Sequence, residues 1–460
     1  MRVFLKNVSA VWAVNFVNGA LGIAFVPIAV HRLGAAGYGL LSIYTVVAGY
    51  VALTDLGIGP NLQRLLAGRP DGPTPGRPES VFGDSEAWRR QQIQTAWGLY
   101  LLLSVGLLVV LLVLIHIVPM YLFPVGAGSR RAVQWLTLFA VIDFVLGVPV
   151  LLMQNTCAAA ERFGRYSRFT LASGLIRYSL MFAGVLLTTR PELVAAAITA
   201  RRLVDIPLAL RVTGGLPAGA WRPRFAREPF LRFLAGSSAM SAAQLVQVSI
   251  IAVPAVLVNA YFGIRSLGVY RATFDLVNRI WFFSNTIGLV LFPKFVRMLA
   301  GTRERLALQG LLPRLLALSW IAYGVLAIAG ALLGPTVLGA IGLGAAEYTT
   351  LFVILIGALS FNAHGTTAYA FQLAAGRPLR AATLGLVSLT LLFVTFFVAR
   401  AAGAGLLAIA WAWVVSQLVY AFAIDLTALR QLEVPVRPLR DTGLRVAVVL
   451  AVALVVLARA

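Results

Sequence analysis

GAAGYGLLSI, residues Gly34 to Ile43, and GIRSLGVYRA, residues Gly263 to Ala272, carry glycines in register at Gly34 and Gly263 and again at Gly39 and Gly268. Each stretch stands where one apolar run hands over to the next. Each then leads through a long run into a similar ending, RLLAG at Arg64 to Gly68 and RMLAG at Arg297 to Gly301. Further on, QNTCAAAER ending at Arg162 faces YAFQLAAGR ending at Arg377. The chain reads as a duplication.

Apolar runs outward from these marks predict twelve membrane spans, near residues 9–30, 40–66, 94–122, 133–158, 168–189, 191–211, 232–260, 267–292, 313–338, 348–374, 379–400 and 404–428. Six spans per half is an even number, so both halves enter from the same side and form a parallel repeat about an axis along the membrane normal. The expected fold is an all-α polytopic membrane protein with two six-helix bundles, residues 1–222 and 223–430, around a central cavity. The tail, 431–460, holds a short apolar segment, Val446 to Ala458. As a helix it is about 20 Å long against a hydrocarbon core of about 30 Å. Flanking Arg445 and Arg459 could snorkel, which leaves a thirteenth span and an interfacial helix both open.

Composition agrees with this reading. Of the 460 residues 60% are apolar and 12% charged, and the mean hydropathy is +0.89, which leaves no ordinary soluble surface. The first run, Ser9 to Val30, lacks a small-residue cleavage site and reads as a span rather than a signal peptide. With Cys157 the sole cysteine there is no intrachain disulfide, and His31, His116 and His364 show no metal-ligand spacing, so no metal is expected. The net charge of +22 is mostly topology. With the N-terminus cytoplasmic, 28 of the 38 basic residues fall in inner segments and 7 in outer ones, leaving Arg177, Arg271 and Arg279 within spans. Nucleic acid is not expected as a partner. The segment 68–90, rich in Pro, Gly and acidic residues, reads as a mobile linker.

The stretch LGAAGYGLLSIYTVVAGYVALTDLGIGPNLQRLLA, Leu33 to Ala67, resembles the opening signature of the polysaccharide transporters of the multidrug/oligosaccharidyl-lipid/polysaccharide exporter superfamily, the group with the Wzx-type O-antigen flippases. AAGR at Ala374 to Arg377 and the repeat extend the resemblance over most of the chain. It implies a V-shaped pair of bundles in a bacterial inner membrane that moves a lipid-linked oligosaccharide, usually on undecaprenyl pyrophosphate, from the cytoplasmic to the outer leaflet by alternating access. It also implies a monomer without a cofactor, working beside a polysaccharide polymerase and chain-length machinery, with a proton or sodium ion as candidate coupling ion. Lipid II flippases of the superfamily carry two extra C-terminal helices, and this chain has at most one short segment. Cation-coupled multidrug exporters carry an acidic residue in span 1, and here SAVWAVNFVNGALGIAFVPIAV has none.

The charges inside spans mark the candidate site. Arg271, Asp275 and Arg279 stand at i, i+4 and i+8 in span 8, on one helical stripe with Asn278 beside it. Each ionised residue near the bilayer centre costs roughly 2.5–3.5 kcal/mol, so the stripe should face protein or a water-filled cavity. Guanidinium offers a planar fork of donors suited to phosphate oxygens, which makes Arg279, Arg271 and Arg177 candidates for the pyrophosphate, with Asp275 organising the fork. The alternative is an ion-pair ladder that fixes helix packing. For Arg177 of span 5, Asp143 of span 4 lies at similar depth, so an Arg177–Asp143 pair stands beside a substrate role.

Asp55 in LTDLGIG is either a proton-coupling carboxylate or a packing residue between Gly57 and Gly59. Asp205, before Pro207, reads as a helix cap or kink partner. Asn15 with Asn18 and Gln244 with Gln247 are i, i+3 pairs on the first helices of the two halves. They are expected to line the cavity and meet sugar hydroxyls. A cation-coupled multidrug exporter is the rival function. A membrane glycosyltransferase or polymerase is a weaker rival, because the only acids in the short outer connections are Glu192 and Glu347.

Overall fold

The computed structural model describes residues 2–52, 57–67, 85–160, 162–217, 219–225 and 227–435, together with 441, 443 and 446. Asp55, most of the acidic linker and the segment 447–458 lie outside the described residues, and with them the coupling role of Asp55, the linker's mobility and the thirteenth span.

Thirteen α-helices make up the described chain: α1 (Arg2–Ala52), α2 (Ile58–Ala67), α3 (Ser85–Ile117), α4 (Ala127–Ala159), α5 (Phe163–Leu187), α6 (Pro191–Ala200), α7 (Arg202–Thr213), α8 (Arg227–Val277), α9 (Trp281–Ala300), α10 (Thr302–Ala340), α11 (Ala346–Ala374), α12 (Pro378–Ala401) and α13 (Leu407–Gln431). Strands are absent among the described residues, and nine helical segments are long and apolar enough to cross a membrane. Two of the nine, Val11–Val51 and Phe233–Ile280, each join most of one expected span to the first part of the next through a glycine.

Those glycines are the repeat glycines. Gly34 has φ 71° and ψ 167°, and Gly263 has φ 81° and ψ 175°. A positive φ is open to glycine at little cost, so the chain breaks helix at matched positions in the same backbone conformation. The second pair does something different. A Cβ on Gly39 would stand 2.5 Å from the Ile264 carbonyl oxygen, and one on Gly268 would overlap the Ala35 carbonyl. Ala35 and Ile264 are themselves equivalent in the repeat, so the two halves touch backbone to backbone about a local pseudo-twofold axis.

Near the opposite ends of the spans, α2 meets α8. Asn61 Nδ2 donates to the Phe233 carbonyl at 3.2 Å and to Ser237 Oγ at 3.1 Å. A Cβ on Gly57 would stand 2.7 Å from the Ser237 carbonyl oxygen, and one on Gly59 would meet the Asn155 amide of α4. Small residues here let helices approach closely, the packing that association inside a bilayer relies on.

Local breaks divide three expected spans. Span 2 is interrupted at Gly57, which has φ 63°. Span 6 is divided into α6 and α7 at Arg201. Span 8 passes through a 3₁₀ turn, Asn278–Ile280, between α8 and α9. In the C-terminal half α11 is almost wholly buried and packs against α8, α9, α10 and α13. A helix apolar on all sides and enclosed by others is the axis of its bundle.

Candidate functional site

Between the halves lies a cavity of about 460 Å³, and all three arginines singled out in the spans line it. Arg271 and Asp275 come from the second part of α8, Arg279 from the 3₁₀ turn, and Arg177 from α5. Asn15, Asn18 and Asn278 share the lining.

Arg271 is buried, and its Nη2 donates to Asp275 Oδ1 at 3.0 Å and to Thr45 Oγ1 at 3.2 Å. Tyr38, in the glycine-rich stretch of α1, donates its hydroxyl to Asp275 Oδ2 at 2.8 Å. Asp275 therefore ties the halves together as well as holding Arg271. Arg271 and Asp275 are thus ion-paired while both line the cavity.

Arg279 is placed differently. Its Nη1 lies 3.4 Å from the Tyr178 hydroxyl, and its guanidinium rests on Gly22 of α1, where any Cβ would collide with it. In an uninterrupted α-helix Arg279 would follow Asp275 along the stripe. The 3₁₀ turn, with about three residues per turn, begins between the two and changes that register.

Arg177 lies beside the same tyrosine, its guanidinium carbon 5.9 Å from the Tyr178 ring centre. Its Nε is buried without a hydrogen-bond partner, and it forms no ion pair among the described residues.

The Arg177–Asp143 pair does not form. Asp143 is held by Arg202, with Nε to Oδ1 at 2.9 Å and Nη2 to Oδ2 at 2.8 Å, a bidentate fork. Arg201 adds a 3.6 Å contact to Asp143 and pairs with Asp205 at 3.1 Å. Asp205 is fully enclosed, so it is a member of this ionic cluster rather than a cap. Two arginines and two aspartates balance. Depth along one helix had suggested Arg177 as the partner, but depth does not fix which way a side chain turns, and Arg202 reaches Asp143 from α7. Arg201, counted by sequence among inner-segment charges, is a buried cavity residue.

A second cavity of about 590 Å³ adjoins the first, sharing Thr45, Gln154, Arg177 and Arg201 in its lining. Gln244, Gln247 and Asp143 belong here. Gln247 Nε2 donates to the Tyr420 hydroxyl at 2.6 Å. Asn18 presses its amide against Gly174, and its Oδ1 is buried without a hydrogen-bond partner. Asn15, Asn18 and Asn278 thus share the arginine cavity, while the two glutamines stand in the space next to it.

Sequence reading passed over Tyr38, Tyr178 and Arg201. Tyr178 had a signal, since a tyrosine directly follows a deep arginine. Tyr38 sits between Gly37 and Gly39, and its role depends on the contact with the other half. Taken together, the first cavity is lined by four guanidiniums and a single carboxylate, which already accepts from Arg271 and Tyr38. Such a site suits an anion bearing hydroxyl groups. Among the described residues, no group of three His, Cys, Asp or Glu side chains is placed to hold a metal ion.

No family model and no curated protein sequence matches the chain. Solved structures do match in fold. An outward-facing multidrug resistance MATE family transporter of the MOP superfamily superposes with a TM-score of 0.66 at 12% identity, covering 96% of each chain. The MATE multidrug transporter DinF-BH, solved as a complex, gives 0.67 at 13% identity, again over 96% of each chain. The Vibrio cholerae MATE transporter VcmN, solved as a mutant, gives 0.62 at 9% identity over 94% of this chain and 98% of that one. The chain has the fold of the MATE transporters over nearly its whole length.

Proposed function

We propose that this chain is a flippase for a lipid-linked oligosaccharide, carried on a polyprenyl pyrophosphate and moved from the cytoplasmic to the outer leaflet of a bacterial inner membrane. The observation that carries the reading is the gathering of Arg177, Arg271 and Arg279 around one cavity whose sole lining carboxylate is already engaged. The pyrophosphate binds these guanidiniums, Asp275 orients Arg271, and Asn15, Asn18 and Asn278 meet the first sugars. The positive-inside bias supports a cytoplasmic N-terminus. Alternating access then opens the cavity first to one leaflet and next to the other.

The fold favours a second reading, since solved structures that share it are multidrug transporters. The cavity lining supports an anion over a cation.

In a strain that lacks its own oligosaccharide flippase and makes the matching glycan, the wild-type chain is expected to restore surface polysaccharide. Arg279→Ala at equal membrane abundance is expected to lower it at least tenfold. Full restoration by Arg279→Ala would remove this site from the mechanism. Substrate-stimulated efflux of cationic drugs, lost in the same variant, would favour the exporter.

A further inference from the structure

The C-terminal bundle buries a chain of groups that the arginine cavity does not use. Ser319 Oγ lies 2.5 Å from His364 Nδ1, and His364 Nε2 lies 2.7 Å from Asp425 Oδ2. Trp320 donates its Nε1–H to the same carboxylate oxygen at 2.9 Å, and its ring lies over the imidazole with centres 4.2 Å apart. These residues come from α10, α11 and α13, and all four are buried. The second oxygen, Asp425 Oδ1, is buried with no hydrogen-bond partner.

Among the described residues no arginine or lysine forms an ion pair with Asp425. Besides Ser319 and Trp320, α10 carries Arg314, which is exposed, and α13 carries Arg430, also exposed. Tyr420 of α13 packs on Gly365, next to His364, and Tyr369 of α11 lies near Tyr420. From α8 comes the uncharged Gln247, bonded to Tyr420. From α12 comes Ser388, bonded to Gln417. Facing α11 from α9 is Phe295, and Gly443 of the tail touches Trp320. Among the described residues His364 is the only basic group paired with Asp425.

A neutral imidazole beside a carboxylate would leave one net negative charge in this low-dielectric setting, at considerable cost. One added proton makes the cluster neutral, as imidazolium with carboxylate or as imidazole with carboxylic acid. Ser319 accommodates either count. Its hydroxyl has one hydrogen, which can go to the Leu316 carbonyl at 2.9 Å while Oγ accepts from Nδ1–H, or can turn to Nδ1 itself. A proton enters or leaves with a hydroxyl rotation and no movement of heavy atoms.

We propose that Ser319, His364 and Asp425 form a proton-binding site within the C-terminal bundle. The use of this proton to drive transport rests on the transporter reading. Its binding does not.

Trp320 is a built-in reporter, because a protonated imidazole beneath an indole quenches its emission. The full chain in detergent, without substrate, is titrated between about pH 5 and pH 9, the range in which histidine charge responds. Subtracting the Trp320→Phe signal isolates Trp320. A several-fold, one-proton change is expected in the wild type and is expected to vanish in His364→Gln and Asp425→Asn. Ser319→Ala keeps the cavity shape and removes only the acceptor for Nδ1–H, so its transition is expected to move from the wild-type pH; this variant carries the test if Asp425→Asn does not fold. A Trp320 signal independent of pH, or a transition unchanged in His364→Gln or Ser319→Ala, would overturn the proposal. Neither result depends on what the cavity carries, so failure here is separate from failure of the flippase reading.

Discussion

Leucine in place of Gly268 is expected to abolish transport and to hold the two halves apart where the repeat glycines meet. A Cβ at this position would overlap the Ala35 carbonyl, which is backbone and cannot swing aside. The only relief is separation of α1 from α8, so the substitution acts on the contact between bundles and not on either bundle alone. Gly39→Leu should have the same effect, since its Cβ would meet the Ile264 carbonyl. The check uses a Cys157→Ser background with Ala35→Cys as the reporter. Labelling of that reporter by a membrane-impermeant maleimide should accelerate at least tenfold when Gly268→Leu is added. Unchanged labelling together with unimpaired transport would show that the contact is not a gate.

Asp143→Ala is expected to cost about 3–5 kcal/mol of stability, the scale for breaking a buried ion pair from one side. Arg201, Arg202 and Asp205 would remain as a mostly buried group with one carboxylate for two guanidiniums. Thermal unfolding of the full chain in detergent should show a clear drop in midpoint. Arg202→Met in the same chain should recover part of it, because the remaining pair, Arg201 and Asp205, is balanced. A double variant that loses the sum of the two single losses would show that the residues do not act as a unit.

Much of the fold was legible because it rests on one-dimensional signals. Apolar runs locate the spans, and the repeat glycines locate two helix breaks whose positive φ only glycine adopts freely. Arg271 and Asp275 pair as their i, i+4 spacing implies. The halves differ at the position of Arg271. Ser42, the counterpart of Arg271, carries no charge and donates its hydroxyl to the Gly39 carbonyl of its own helix.

What stayed hidden depends on how helices turn toward one another. The 3₁₀ turn at Asn278 has no proline or glycine to announce it, yet it alters the register of Arg279. Asp143 finds Arg202 rather than Arg177 because α7 brings that fork to it. His364 and Asp425 are separated by a whole span, and only the packing of α10, α11 and α13 joins them to Ser319. A lone histidine and a lone aspartate in apolar helices were the available signal, since intramembrane ionisable groups need partners.

The central claim is that Arg177 and Arg279 carry the pyrophosphate of a lipid-linked substrate. Purified chain is reconstituted into vesicles with a fluorescent polyprenyl-pyrophosphate oligosaccharide, and leaflet transfer is followed with a membrane-impermeant quencher. The wild type is predicted to speed transfer at least tenfold over protein-free vesicles, and Arg177→Ala with Arg279→Ala to return it to the protein-free rate. Transfer by the double variant as fast as by the wild type, or no acceleration by the wild type at all, would contradict the account.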